Sequence, residues 1–139
     1  MVYLIVGEEG KGKTKHLLDK VNEEIKEASG NIVFLDRSSK HMFELNNKVR
    51  LINVSEFEFE NSSEFVGFVY GIISQDNDMQ QMYIDGIMKI AKLAKDDLAG
   101  IINKFDKICE QFNLDMIISA SVVKEDLPAE LQEKVILAL

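Results

Sequence analysis

At 139 residues the chain has the length of one domain, and its 46% hydrophobic and 29% charged residues with a single proline exclude a disordered or low-complexity protein. Sixteen basic against 24 acidic residues leave a net charge of −8, which argues against binding nucleic acid through its phosphates and against docking on anionic membranes. One cysteine, Cys109, excludes an internal disulfide framework and a thiolate zinc cage.

The opening MVYLIVGEEG has neither the basic lead nor the length of a signal peptide. No apolar run approaches a transmembrane span. The expectation is a cytoplasmic protein with no membrane insertion. Residues 2–6 (VYLIV) form a short continuous apolar run and predict a strand buried on both faces. Residues 13–28 set Leu17, Leu18, Val21, Ile25 and Ala28 on one helical stripe, with Gly30 as a stop. NIVFLD at 31–36 predicts a second strand, and 38–46 leaves room for a short helix. VRLINV at 49–54 alternates apolar and polar, as a strand near a sheet edge does. Phe57 and Phe59 in SEFEFE suggest a half-buried edge strand or an acidic-aromatic docking segment.

Phe65, Phe68, Val69, Ile72 and Ile73 predict a helix over 62–74, capped by Ser62 or Ser63. QQMYID at 80–85 predicts a strand ending in an acid. Leu98, Ile101, Ile102, Phe105, Ile108, Cys109 and Phe112 mark the clearest helix, 97–112, with Asp96 as its cap. DMIISASV at 115–122 predicts a strand. Pro128 suits a first helical turn, yet KVILAL also reads as a final strand. Apolar runs alternating with helical periods imply an α/β chain.

Residues 7–14 read GEEGKGKT and satisfy G-x-x-x-x-G-K-[ST]. The pattern follows a predicted buried strand and opens an amphipathic helix, the setting its chemistry requires. Gly7, Gly10 and Gly12 let the backbone curl at positive φ and approach phosphate oxygens. Backbone N–H groups at a helix N-terminus then form an anion nest. Lys13 would reach the β- and γ-phosphates, and Thr14 would offer its hydroxyl to Mg²⁺. Glu8 and Glu9 stand at the loop apex and would oppose a free nucleotide.

On GEEGKGKT and the strand–loop–helix around it, the chain resembles the P-loop NTPase superfamily. The resemblance implies a three-layer α/β sandwich with a mostly parallel central sheet of about five strands and nucleotide at the C-terminal strand edge. In the recombinase-like order, the strand at 2–6 is central, flanked by 115–122 and 133–138, with 80–85 and 31–36 further out. Such proteins hold Mg²⁺ through a second acid at a neighbouring strand end. Asp85, closing MYID, fits that role, with Asp36, closing VFLD, as the runner-up. Many relatives place Glu directly after this acid to polarise water, but here that position is Gly86. Glu56, Glu58, Glu60 or Glu64 could fold back instead. In the recombinase-like branch a polar residue beside the loop strand meets the γ-phosphate or the water, and Ser119 or Ser121 resembles it. The only arginines, Arg37 and Arg50, are the candidates for an arginine finger brought in by self-assembly.

NKFD at 103–106 matches the guanine motif N-K-x-D, and SAS at 119–121 resembles the later GTPase motif. Phe105 falls in register with the apolar stripe, which puts the tetrapeptide in mid-helix, and Asp85-Gly86 fails D-x-x-G. A GTPase is disfavoured. His16 and His41 lack further ligands for a metal pair. The expected whole is one nucleotide-binding domain over 1–139. It binds ATP with Mg²⁺, with Lys13, Asp85 and Ser119 as the catalytic set and Gly7, Gly10, Gly12, Lys13 and Thr14 on the phosphates. Thr14 and Asp85 face the metal. Hydrolysis is expected to be slow and to depend on a protein partner or homo-oligomer. Alternatives are a non-catalytic nucleotide sensor and a small phosphotransferase.

Overall fold

The computed structural model describes residues 1–139. Strands β1 (Val2–Val6), β2 (Asn31–Asp36), β3 (Arg50–Asn53), β4 (Met79–Ile84), β5 (Asp115–Ala120) and β6 (Val135–Ala138) form one sheet. Its order is β3-β2-β4-β5-β1-β6, and every pairing is parallel. β1 lies between β5 and β6, with β4 and β2 further out. The sheet has six strands, one more than expected. The edge strand β3 and the last strand β6 both join it, and the ambiguous last segment holds both predicted forms. Leu131 anchors the short helix α5 (Ala129–Gln132) just after Pro128, and the half-exposed β6 follows.

Helix α1 (Lys13–Glu24) packs on one face of the sheet. Helices α2 (Ser62–Ser74) and α4 (Leu98–Phe112) cover the other, with the short helix α3 (Ile87–Ile90) following β4. Strand residues divide between the faces with period two, as pleating demands. Val2, Leu4 and Val6 join the core under α2 and α4, while Ile5 joins the one under α1. The first core holds 29 buried residues and the second 11, so the two layers are unequal.

Several boundaries differ from the sequence reading. α1 ends at Glu24 rather than 28, because after the last α-type bond (Ile25 N–H to Val21 O) residues 26 and 27 tighten into i→i+3 bonds (Lys26 N–H to Glu23 O, Glu27 N–H to Glu24 O). Gly30 is needed for close approach: a Cβ there would stand 2.3 Å from the Asp78 carbonyl oxygen. Residues 42–44 make only a 3₁₀ turn, and 49–54 shortens to β3 at the sheet edge. Residues 57–59 form no strand. Phe59 instead packs edge-on against Phe65 and Phe68 at 5.4 and 5.0 Å, in an aromatic cluster under the 57–61 segment. The α4 helix is preceded by Asp97, not Asp96, and the Asp97 side chain makes no capping bond. NKFD lies inside α4, where Phe105 is fully buried and the Asp106 carboxylate accepts from Val2 N–H at 3.1 Å. Cys109 is buried in the same helix, and burial pushes its thiol up to about 11. No helix is long and apolar enough to cross a membrane.

The cap of α2 is Asn61, not Ser62 or Ser63. Its side-chain oxygen accepts from Glu64 N–H at 3.0 Å, and Glu64 reaches back to Glu60 N–H at 2.8 Å. Asn61→Ala is expected to lower unfolding stability by about 1 kcal/mol, read from the denaturant midpoint at unchanged slope. Ser63→Ala should leave the midpoint within error.

Candidate functional site

The site forms where β1, β4, β5 and β2 end, at the C-terminal edge of the sheet. The chain leaves β1 at Val6 and curls through residues 7–12 into α1. Gly10 and Gly12 take φ of 81° and 92°, which a residue with a Cβ rarely adopts. Gly12 precedes the helix with no side-chain cap. No backbone or side-chain acceptor in the chain takes the N–H groups of residues 8–12. The first-turn N–H groups of α1 are orphaned in any helix. The result is a concave run of free donors at the positive end of a helix dipole, a geometry that favours an anion.

Lys13 folds back over this loop. Its ammonium donates to Gly7 O at 2.8 Å and Glu8 O at 2.9 Å and is only 8% exposed. Desolvation pulls its ammonium below the ordinary lysine range, and the charges of Asp85 and Glu9 push it back. Thr14, one residue on, donates its hydroxyl to Asp85 Oδ2 at 2.8 Å. The other carboxylate oxygen, Oδ1, accepts from the Ser119 hydroxyl at 2.7 Å, and Ser119 Oγ in turn accepts from Gly86 N–H at 2.7 Å. Ser119 has no exposed surface. Three strand ends therefore meet on one carboxylate: β1 through the loop and α1, β4 at Asp85, and β5 at Ser119.

These residues line a cleft of 310 Å³ that Arg37, Lys89 and Ser121 also border. Glu9 reaches across it, its Oε1 2.6 Å from Lys89 Nζ, and that ammonium holds the Glu9 carboxyl below the usual range. Lys89 escapes a sequence reading because it belongs to no motif. Its signal is position alone, one helical turn after a strand-end acid. Asp36 stands at the end of β2 but does not line the cleft. Its Oδ1 accepts from Arg37 N–H at 2.7 Å, while Oδ2 is buried with no partner.

Other candidates lie elsewhere. Arg50 begins β3 at the opposite sheet edge and pairs with Asp76 at 3.0 Å. Glu58 and Glu60 border a neighbouring cavity, Glu64 is used in the α2 cap, and Glu56 is exposed. None of the four lines the cleft. His16 is exposed on α1, and His41 Nδ1 lies 2.5 Å from Glu44. No three His, Cys, Asp or Glu residues come together as a metal cage. The oxygens of Thr14 and Asp85 suit a hard cation that keeps most of its water and anionic-ligand shell, which is how Mg²⁺ is commonly held.

No protein-family model matches the chain, and no curated protein matches it. Among solved structures, it is similar to a KaiC-like protein from the hyperthermophilic archaeon Pyrococcus horikoshii. The TM-score is 0.65 at 16% identity, over 95% of this chain and 67% of that one. At that identity the likeness is one of fold: an α/β chain with a parallel sheet and helices on both faces.

Burial, and after it the charge of Asp85, raises the Asp36 carboxyl above the ordinary aspartate range. A group that binds its proton more tightly folded than unfolded favours folding at low pH. That contribution is lost as pH rises through the folded value. Asp36→Asn is therefore expected to be more stable than wild type at pH 7. The gain should shrink toward pH ~4, near the unfolded aspartate value. Thermal melts of both proteins at the two pH values, with chelator and no nucleotide, check it.

Proposed function

We propose that residues 1–139 act as one nucleotide-binding domain that takes a nucleoside triphosphate, ATP, with Mg²⁺, and hydrolyses it slowly. One observation supports this above the rest: a loop of unclaimed N–H donors opens α1 directly beside a Thr14–Asp85–Ser119 hydrogen-bond chain. The loop suits a polyphosphate, and Thr14 with Asp85 suits the cation that accompanies one. Gly10 and Gly12 keep the cradle free of Cβ atoms, with no atom within 4 Å of where one would sit. Bound Mg²⁺ would supply neutralising charge. Thr14 and Asp85 would face it, the latter through water, and Ser119 would orient Asp85 as a positioning residue. Lys13 would exchange its two loop carbonyls for phosphate oxygens, a charge-assisted and stronger partner.

Slow turnover follows from what borders the cleft. Its only carboxylates are Glu9, tied to Lys89, and Asp85, both of whose oxygens are engaged. Gly86 stands where a water-polarising acid would be. A positioned base typically contributes about 10²–10⁴ in rate. The same feature favours a second reading, a nucleotide sensor that binds without turnover.

Calorimetric titration tests the assignment. Lys13→Ala should abolish measurable Mg·ATP binding. It also frees the carbonyls of Gly7 and Glu8, so far-UV circular dichroism is recorded to show the fold retained. Asp85→Asn should weaken Mg·ATP more than ATP in chelator, because the lost charge acts through the cation. Wild-type affinity in Lys13→Ala would remove the phosphate role, and equal losses with and without Mg²⁺ would remove the metal role of Asp85.

A further inference from the structure

Of the two arginines only Arg37 reaches the site, and its charge is unclaimed. It takes part in none of the ion pairs of the chain, while Arg50 is held by Asp76. Its side chain is exposed and leans from the end of β2 across to the end of β4. Nε stands 3.4 Å from the position a Cβ would take on Gly86, the residue after Asp85. Gly86 has φ 85°, a backbone conformation that disfavours a side chain there, and the guanidinium stands at ordinary van der Waals distance from it. The glycine and the arginine form one arrangement: a cation lies over the position where an acid would otherwise sit.

Along the sheet edge the sequence of groups is the 7–14 loop, then Thr14 with Asp85, then Gly86 under Arg37. Beyond Arg37 a second cavity of 550 Å³ runs on toward residues 54–60, sharing Arg37 and Lys89 with the cleft. Arg37 thus marks the far wall of the cleft, opposite the loop. A polyphosphate seated on the loop and running past Asp85 would end at that wall. A planar guanidinium suits two oxygens of one phosphoryl group.

We propose that Arg37 contacts the terminal phosphoryl group of the bound nucleotide from within the same chain, so that the arginine is supplied in cis and not by a second copy. This rests on the nucleotide reading above. It replaces the expectation that self-assembly brings the arginine in. It also gives the protein a means of telling a triphosphate from a diphosphate, because only the triphosphate reaches Arg37.

The test uses Arg37→Ala and Arg37→Lys in the full chain, with calorimetry against Mg·ADP and a non-hydrolysable Mg·ATP analogue. The preference for triphosphate over diphosphate should fall by about tenfold or more in Arg37→Ala, the scale of one charge-assisted contact. Mg·ADP affinity should stay close to wild type, and Arg37→Lys should recover part of the preference. In turnover, a mixture of Arg37→Ala with Lys13→Ala should show no recovery over the separate proteins. Recovery on mixing would place the arginine in trans and overturn the proposal. So would an unchanged preference in Arg37→Ala while Mg·ADP still binds, with the nucleotide reading left standing. Failure of wild type to bind either ligand would overturn both.

Discussion

The carboxylate of Asp85 is the point on which the site depends. Its two oxygens are divided between Thr14, which belongs to α1, and Ser119, which belongs to β5. A parallel sheet brings its strand ends to one edge but leaves them independent of each other. Here one carboxylate ties three of them together at hydrogen-bond distance. Two hydroxyl donors hold it from opposite sides, so its orientation is set before any ligand arrives, and such preorganisation limits the cost of ordering on binding.

Around that point the charges are not at their individual optima. Asp36 is buried one strand away with an oxygen that has no partner. Lys13 is desolvated against two carbonyls of its own loop. A fold chosen only for stability would place neither group so. An orphaned buried oxygen calls for an explanation beyond stability, and it lies at the same sheet edge as the desolvated Lys13. The apical Glu9 is paired with Lys89, so the charge of an acid that would repel an incoming anion is met by an ammonium bordering the same cleft.

Much of this was legible in the residues. GEEGKGKT between a buried run and an amphipathic stripe pointed to the loop, and MYID to the acid beside Thr14, because both are local patterns tied to a strand end. The burial of the 2–6 strand and its place between 115–120 and the last strand followed from apolar content and the resemblance in strand order. What the sequence concealed depended on distance through space. Nothing local shows that Arg37 leans over Gly86 or that Lys89 meets Glu9. The cap of α2 falls on Asn61, just before the two serines, because Asn61, Ser62 and Ser63 are all good caps and only the backbone path selects among them. The final segment was ambiguous because four residues of helix and four of strand each fall below the length at which periodicity can separate them.

The unequal cores have a consequence for how the molecule opens. One helix, α1, closes the thinner layer, with 11 buried residues against 29 on the far side. Local opening is easiest where buried apolar contact is least, so the amides of α1 should exchange with solvent sooner than those of α4. The candidate site grips the first turn of that same helix. A ligand that binds only the closed form adds its binding free energy to the layer that has least of its own. Occupancy would then be felt along α1 as slower breathing, well beyond the atoms the ligand touches.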